Sequence, residues 1–110
     1  MIAERDRKIA EELKDMLLAG NGERIKRLIL YGSRARGGAQ PGSDFDFLVV
    51  ESGPFSRRDE MLRLHRVLSG MPYTIDMWVM SEGEFEETKN VIGGMAYPAH
   101  KYGVVLYENP

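Results

Sequence analysis

The chain reads as an α/β (α+β) domain, and three observations predict it. Ile9, Leu13, Met16 and Leu17 fall at helical spacing among Glu11, Glu12, Lys14 and Asp15. Short apolar runs rich in β-branched and aromatic residues recur near 24–31, 44–51, 73–80 and 104–107. Breaks containing Gly or Pro separate the two kinds of segment along the whole chain.

The first amphipathic stretch predicts a helix over about residues 2–19, with Gly20-Asn21-Gly22 as its stop. Arg24 to Tyr31 is the first strand. Gly32-Ser33-Arg34-Ala35-Arg36 then turns into a short helix that Ser33 can cap, and Gly37 to Gly42 forms a mobile loop able to close over a ligand. Asp44 to Glu51 is the second strand, ended by Ser52-Gly53-Pro54. Ser56 with Asp59 approximates a capping box for a helix whose apolar face is Met61, Leu64, Val67 and Leu68, and Gly70 and Pro72 end it. The third strand covers 73–80. Ser81 with Glu84 opens a helix through about Asn90, Gly93-Gly94 breaks it, and 95–102 is a helix candidate that Pro98 weakens. Val104 to Tyr107 closes as a strand.

Length and composition narrow the function classes. At 110 residues and 43% apolar, the chain fits one domain with a modest core. Lys and Arg number 15 against 17 Asp and Glu, a net charge of −2, which lacks the basic field of a protein gripping long nucleic acid. There is no Cys, so neither a disulfide framework nor a thiolate metal site exists. The absence of a long apolar run or a signal-peptide core favours the cytoplasm over a membrane.

The chemistry concentrates at three strand ends. Gly32 permits close backbone approach to a ligand, Ser33 can donate to a phosphate, and Arg34 and Arg36 add positive charge beside it. After ten intervening residues from Ser33, Asp44 and Asp46 stand two apart. On a strand that spacing aims both carboxylates to one face, where their mutual repulsion calls for cations. Asp76 is the only charge in 73–80 and completes a trio if its strand lies beside the Asp44/Asp46 strand. Hard oxygen donors in such a trio suit a pair of Mg²⁺ ions shared with a triphosphate.

Gly32-Ser33-Arg34-Ala35-Arg36-Gly37, followed by Ser43-Asp44-Phe45-Asp46-Phe47-Leu48-Val49 and by Asp76, resembles the minimal nucleotidyltransferases of the DNA polymerase β superfamily over nearly the whole chain. The resemblance implies a small mixed β-sheet flanked by helices. It implies that Gly32 and Ser33, with Arg34, Arg36 and Ser43, bind the triphosphate of ATP, and that Asp44, Asp46 and Asp76 hold two Mg²⁺ ions. Phe45 and Phe47 are bulkier than the Ile or Leu more usual in that family. Such domains transfer AMP to a hydroxyl, and many are antitoxins that modify a tyrosine of a helical HEPN-family toxin. The resemblance leaves two alternatives: a small-molecule nucleotidyltransferase of the kanamycin type, and a non-catalytic module that neutralises a partner by occlusion.

Other residues carry plainer expectations. The basic set Arg57, Arg58, Arg63 and Arg66 reads as a solvated helix face, His65 as a packed or rim histidine, and His100 as solvent-exposed. Trp78 shares strand parity with Asp76 and is expected in core or partner contact, with an adenine platform as the sharper reading.

Overall fold

The computed structural model describes residues 1–21 and 23–109, so Gly22 of the expected helix stop lies outside the described residues. In chain order the elements are α1 (Glu4–Asn21), β1 (Ile25–Tyr31), α2 (Ser33–Arg36), β2 (Phe45–Glu51), α3 (Arg57–Val67), β3 (Ile75–Ser81), α4 (Glu82–Thr88), α5 (Ala96–Tyr102) and β4 (Val104–Glu108). The four strands form one mixed sheet in the order β3-β2-β1-β4. β1 is antiparallel to both β2 and β4, whereas β2 and β3 run parallel, joined by the crossover helix α3.

Helices cover both faces, which is why β2 reads as a nearly continuous apolar run. On one face α1 and α3 bury Leu13, Leu17, Leu64 and Leu68 against Leu28, Leu30, Phe45, Phe47, Val49, Met77 and Val79. Each fully buried Leu of that layer contributes about 1.5–3 kcal/mol. The other face is smaller: Phe85 of α4 and Ala96 and Ala99 of α5 pack on Ile29, Leu48, Val50 and Met80, with Tyr31 and Trp78 at its margin. Trp78 is therefore in core contact as expected, and the Arg57 guanidinium covers its ring at 4.9 Å.

The caps behave as the sequence suggests, since Ser56 Oγ accepts from Asp59 N and Ser81 Oγ from Glu84 N. Three expectations are decided by tertiary context. Pro98 is tolerated inside α5 because it is the third residue of that helix, where an N–H has no intrahelical acceptor. The α3 arginines are not one solvated face: Arg57 donates to Val79 O and Glu84, and Arg63 pairs with Glu60, while Arg58 and Arg66 remain exposed. His65 is exposed rather than packed.

At the far end of β2, Glu51 is completely buried, and among the described residues neither of its carboxylate oxygens has a hydrogen-bond donor. Its neighbour Glu60 accepts from Arg63 and Arg24 and keeps one acceptor position on Oε2. Burial, followed by the adjacent Glu60, pushes the Glu51 carboxyl up from its ordinary 4.5 to about 7. Protonated, Glu51 can donate to Glu60; ionised, it would be a buried charge without a partner. A folded-state value above the unfolded one means that its contribution is fully present below pH 4.5 and is lost as pH rises to about 7. We predict that Glu51→Gln, which keeps a donor without the charge, is more stable than the parent at pH 8 by about 2–3 kcal/mol and equal to it near pH 4. Urea unfolding of both proteins across that range checks the convergence.

Candidate active site

Strand register assembles the site. Asp46 is the second residue of β2 and Asp76 the second of β3, and the parallel pairing sets them directly opposite each other. Antiparallel pairing with β1 sets Tyr31 on the other flank of Asp46. Directly paired residues point to the same face, so Tyr31, Asp46 and Asp76 form one row across three strands. The row lies at the sheet edge where β1 ends and β2 and β3 begin, on the face that carries α4 and α5. Asp44 precedes β2 and is exposed, and Asp76 is also exposed, so the cost of burying an Asp within a strand does not arise at either position.

The turn after β1 closes on this row. Gly32 has φ +78, the left-handed region that favours glycine, and a Cβ there would collide with Asp46 Oδ2. The absence of a side chain lets backbone and carboxylate share one space. Ser33 is the first residue of α2 rather than its cap; Gly32 occupies the cap position, and among the described residues the Ser33 hydroxyl has no partner within the chain. That hydroxyl is free for a ligand.

Charges at the edge are unbalanced. Desolvation, then the charges of Asp76 and Asp44, raise the Asp46 carboxyl above its usual range, with Arg36 opposing them. Burial, then Asp46 and Asp76, push the Tyr31 phenol up to about 12, which keeps it neutral. Three carboxylates against one nearby arginine, all presenting hard oxygens, fit divalent cations by donor chemistry. The row is open: among the described residues no three carboxylate or imidazole side chains are already drawn around a single point.

Of the residues singled out in the sequence, Gly32, Ser33, Arg36, Asp44, Asp46 and Asp76 meet at this edge. Arg34 does not join them. Its guanidinium donates to Asp6 Oδ1 of α1 at 2.8 Å and to the Ser43 carbonyl at 3.1 and 3.0 Å, and it lies over the Phe45 ring at 4.5 Å. Ser43 borders the site, but its hydroxyl accepts from Gln40 N at 3.0 Å and braces the loop. Sequence reasoning missed Tyr31 and Asp6. The position of Tyr31 at a strand end next to Gly32 was a usable signal, whereas Asp6 looks like any acidic residue in a first helical turn.

The comparisons agree with the fold. The nucleotidyltransferase domain family model matches residues 6–96, and the chain belongs to that family. Among solved structures, one assigned as a nucleotidyltransferase from Sulfolobus solfataricus is 25% identical with a TM-score of 0.67, over 96% of this chain and 82% of that one. A toxin-antitoxin structure with AMP-PNP aligns at TM-score 0.67 and 17% identity, over 90% of this chain and 73% of its own. The toxin-antitoxin MntA-HepT aligns at 0.61 and 15%, over 93% and 73%. The last two share the fold. No curated protein sequence matches the chain.

Two substitutions test the edge. Asp46→Asn removes one charge from a repelling set, so the metal-free protein should gain stability on the order of 1 kcal/mol at neutral pH. Because the folded-state value is raised, that gain shrinks as pH falls toward the ordinary 3.8. Thermal melts over that range read both effects. Gly32→Ala should cost about 1–3 kcal/mol, because it adds backbone strain to the clash with Asp46; the same melts measure it.

Proposed function

We propose that this domain transfers AMP from ATP, with Mg²⁺, to a hydroxyl on a protein partner, and that the partner is a helical toxin of the HEPN class, modified on a tyrosine and thereby neutralised. The observation that carries the reading is the Asp46–Asp76 pair, placed in register beside the Gly32 turn. It sets a row of uncompensated carboxylates next to a free serine hydroxyl, the arrangement expected when cations and a triphosphate complete the site.

Asp44, Asp46 and Asp76 would hold two Mg²⁺ ions, which supply Lewis-acid stabilisation of the charge that builds on the phosphoryl oxygens. Ser33 and the Gly32 turn bind the triphosphate, and Arg36 neutralises part of its charge. The acceptor oxygen attacks the α-phosphorus, the bond to the pyrophosphate oxygen breaks, pyrophosphate leaves with that electron pair, and the acceptor proton passes to an ionised carboxylate of the row. Asp76 stands at the outer, exposed end of the row and is the residue assigned to the acceptor side. In-line attack needs the acceptor oxygen about 3–3.5 Å from phosphorus, which a docked protein maintains better than a freely diffusing molecule. Toxin-antitoxin complexes of the same fold support a protein acceptor.

Asp44→Asn and Asp46→Asn should each lower transfer by about 10²-fold or more, read as pyrophosphate release in the presence of the partner and excess Mg²⁺. Ser33→Ala should weaken Mg²⁺·AMP-PNP binding about tenfold in calorimetric titration, with a stability change within about 0.5 kcal/mol, since no cap bond is lost. Intact-mass spectrometry of the partner should show the addition of one or more AMP units with wild-type protein and none with Asp76→Asn. A partner that is bound and silenced at unchanged mass would replace transfer with occlusion.

A further inference from the structure

Arg34 is spent on contacts within the chain. It follows Ser33 directly, yet its guanidinium is engaged on three sides by the chain itself. Nε and Nη2 converge on the Ser43 carbonyl, Nη1 meets Asp6, and the planar face covers Phe45. Both charged partners are removed from water, with side-chain exposures of 16% for Arg34 and 8% for Asp6. A fork of two N–H groups on a single carbonyl fixes both distance and direction, which an ammonium cannot do. The residue held is the one before Asp44.

The far side of that residue is braced as well. Ser43 N donates to Gln40 O, and Gln40 N donates to Ser43 Oγ, so the end of the Gly37–Ser43 loop is a closed turn. On its α1 side, Asp6, Ile9, Arg34, Ser43, Tyr73 and Thr74 border a groove of about 420 Å³. Gln40, Pro41 and Gly42 line this groove and are exposed, and the Arg34 fork acts there together with the closed turn.

We propose that Arg34 is a positioning residue that ties the Gly32-Ser33 turn to the Asp44-Asp46 segment, and that buried Asp6 locks Arg34 in that role. The two halves of the site come from different parts of the chain, the phosphate side from the end of β1 and the carboxylate side from the start of β2. β1–β2 pairing ends at Tyr31 and Asp46, so Asp44 lies beyond the last paired residue. The Arg34 side chain spans that unpaired interval. This inference rests on the nucleotidyl-transfer reading for its consequence, but its geometric content can be measured without turnover.

The experiment compares Arg34→Lys, Arg34→Met and Asp6→Asn with wild type, using hydrogen exchange and calorimetric titration with Mg²⁺·AMP-PNP. The expected result is exchange at the Gln40 and Ser43 amides about tenfold or more faster in both Arg34 variants, with core amides of β1 and β2 unchanged, and a smaller effect in Asp6→Asn, which keeps an acceptor for Nη1. Nucleotide affinity should fall about tenfold in Arg34→Met and equally in Arg34→Lys. Wild-type affinity in Arg34→Lys overturns the proposal, since charge would then be sufficient, and so does unchanged exchange at Gln40 and Ser43 in both Arg34 variants. Failure of the wild-type protein to bind Mg²⁺·AMP-PNP would sink the transfer reading instead, while the exchange data would still decide whether the fork holds the loop.

Discussion

Everything at the site depends on the register of β2 against its two neighbours. Tyr31 faces Asp46 across one ladder and Asp46 faces Asp76 across the other. A slip of one residue in either pairing would send a carboxylate to the opposite face, under α1 and α3, where Leu13, Leu17 and Leu64 leave no room for charge. The apolar residues that follow in β2 prevent that slip. Leu48 and Val50 pack toward α4 and α5, and Phe47 and Val49 pack toward α1 and α3, so the alignment of the acids is enforced by side chains that take no part in chemistry.

The same strand has a second unsatisfied acid at its other end. Asp46 is raised by burial and by its acidic neighbours at an edge open to ions, whereas Glu51 is raised by burial beside Glu60 inside the core. The two are resolved by different means. A proton can settle Glu51, because Glu60 is there to accept it. Among the described residues Arg36 is the counter-charge acting at the Asp46 edge, and the donor set there is suited to a metal rather than to a proton. Stability is thus given up at the functional end, while at the structural end it is preserved by protonation.

Much of this was legible in the residues. The apolar periodicities mark α1, α3 and the four strands, and the Asp-x-Asp spacing with the Gly-Ser turn points to the strand edge where Asp46 and Asp76 pair. The expectations that changed depended on tertiary partners. Whether Pro98 breaks a helix depends on where the first turn begins, and that boundary is not visible in 95–102. Arg34 and Arg36 are chemically identical and two residues apart, yet one lies near Asp46 and the other is pinned to Asp6, 28 residues away. Nothing local distinguishes them. The buried state of Glu51 was equally hidden, since a Glu at the end of an apolar run reads as the point where the strand meets water.

Pinning residue 34 to residue 43 turns the intervening chain into a tethered handle. Its ends are held by a side chain and a turn on the α1 side of the sheet edge, so its interior can change without moving the carboxylates on the α4/α5 side. Gly38, Gln40, Pro41 and Gly42 are exposed, and a Cβ at Gly38 or Gly42 would meet nothing within 4 Å. The entropy of closing such a handle grows only slowly with length, about 0.6 kcal/mol for each doubling. Lengthening or shortening it between Gly38 and Pro41 would therefore reshape the groove it borders with α1 while leaving Asp44 and Asp46 where they stand. The loop is the part of this domain that can change in length without disturbing the carboxylate row beyond it.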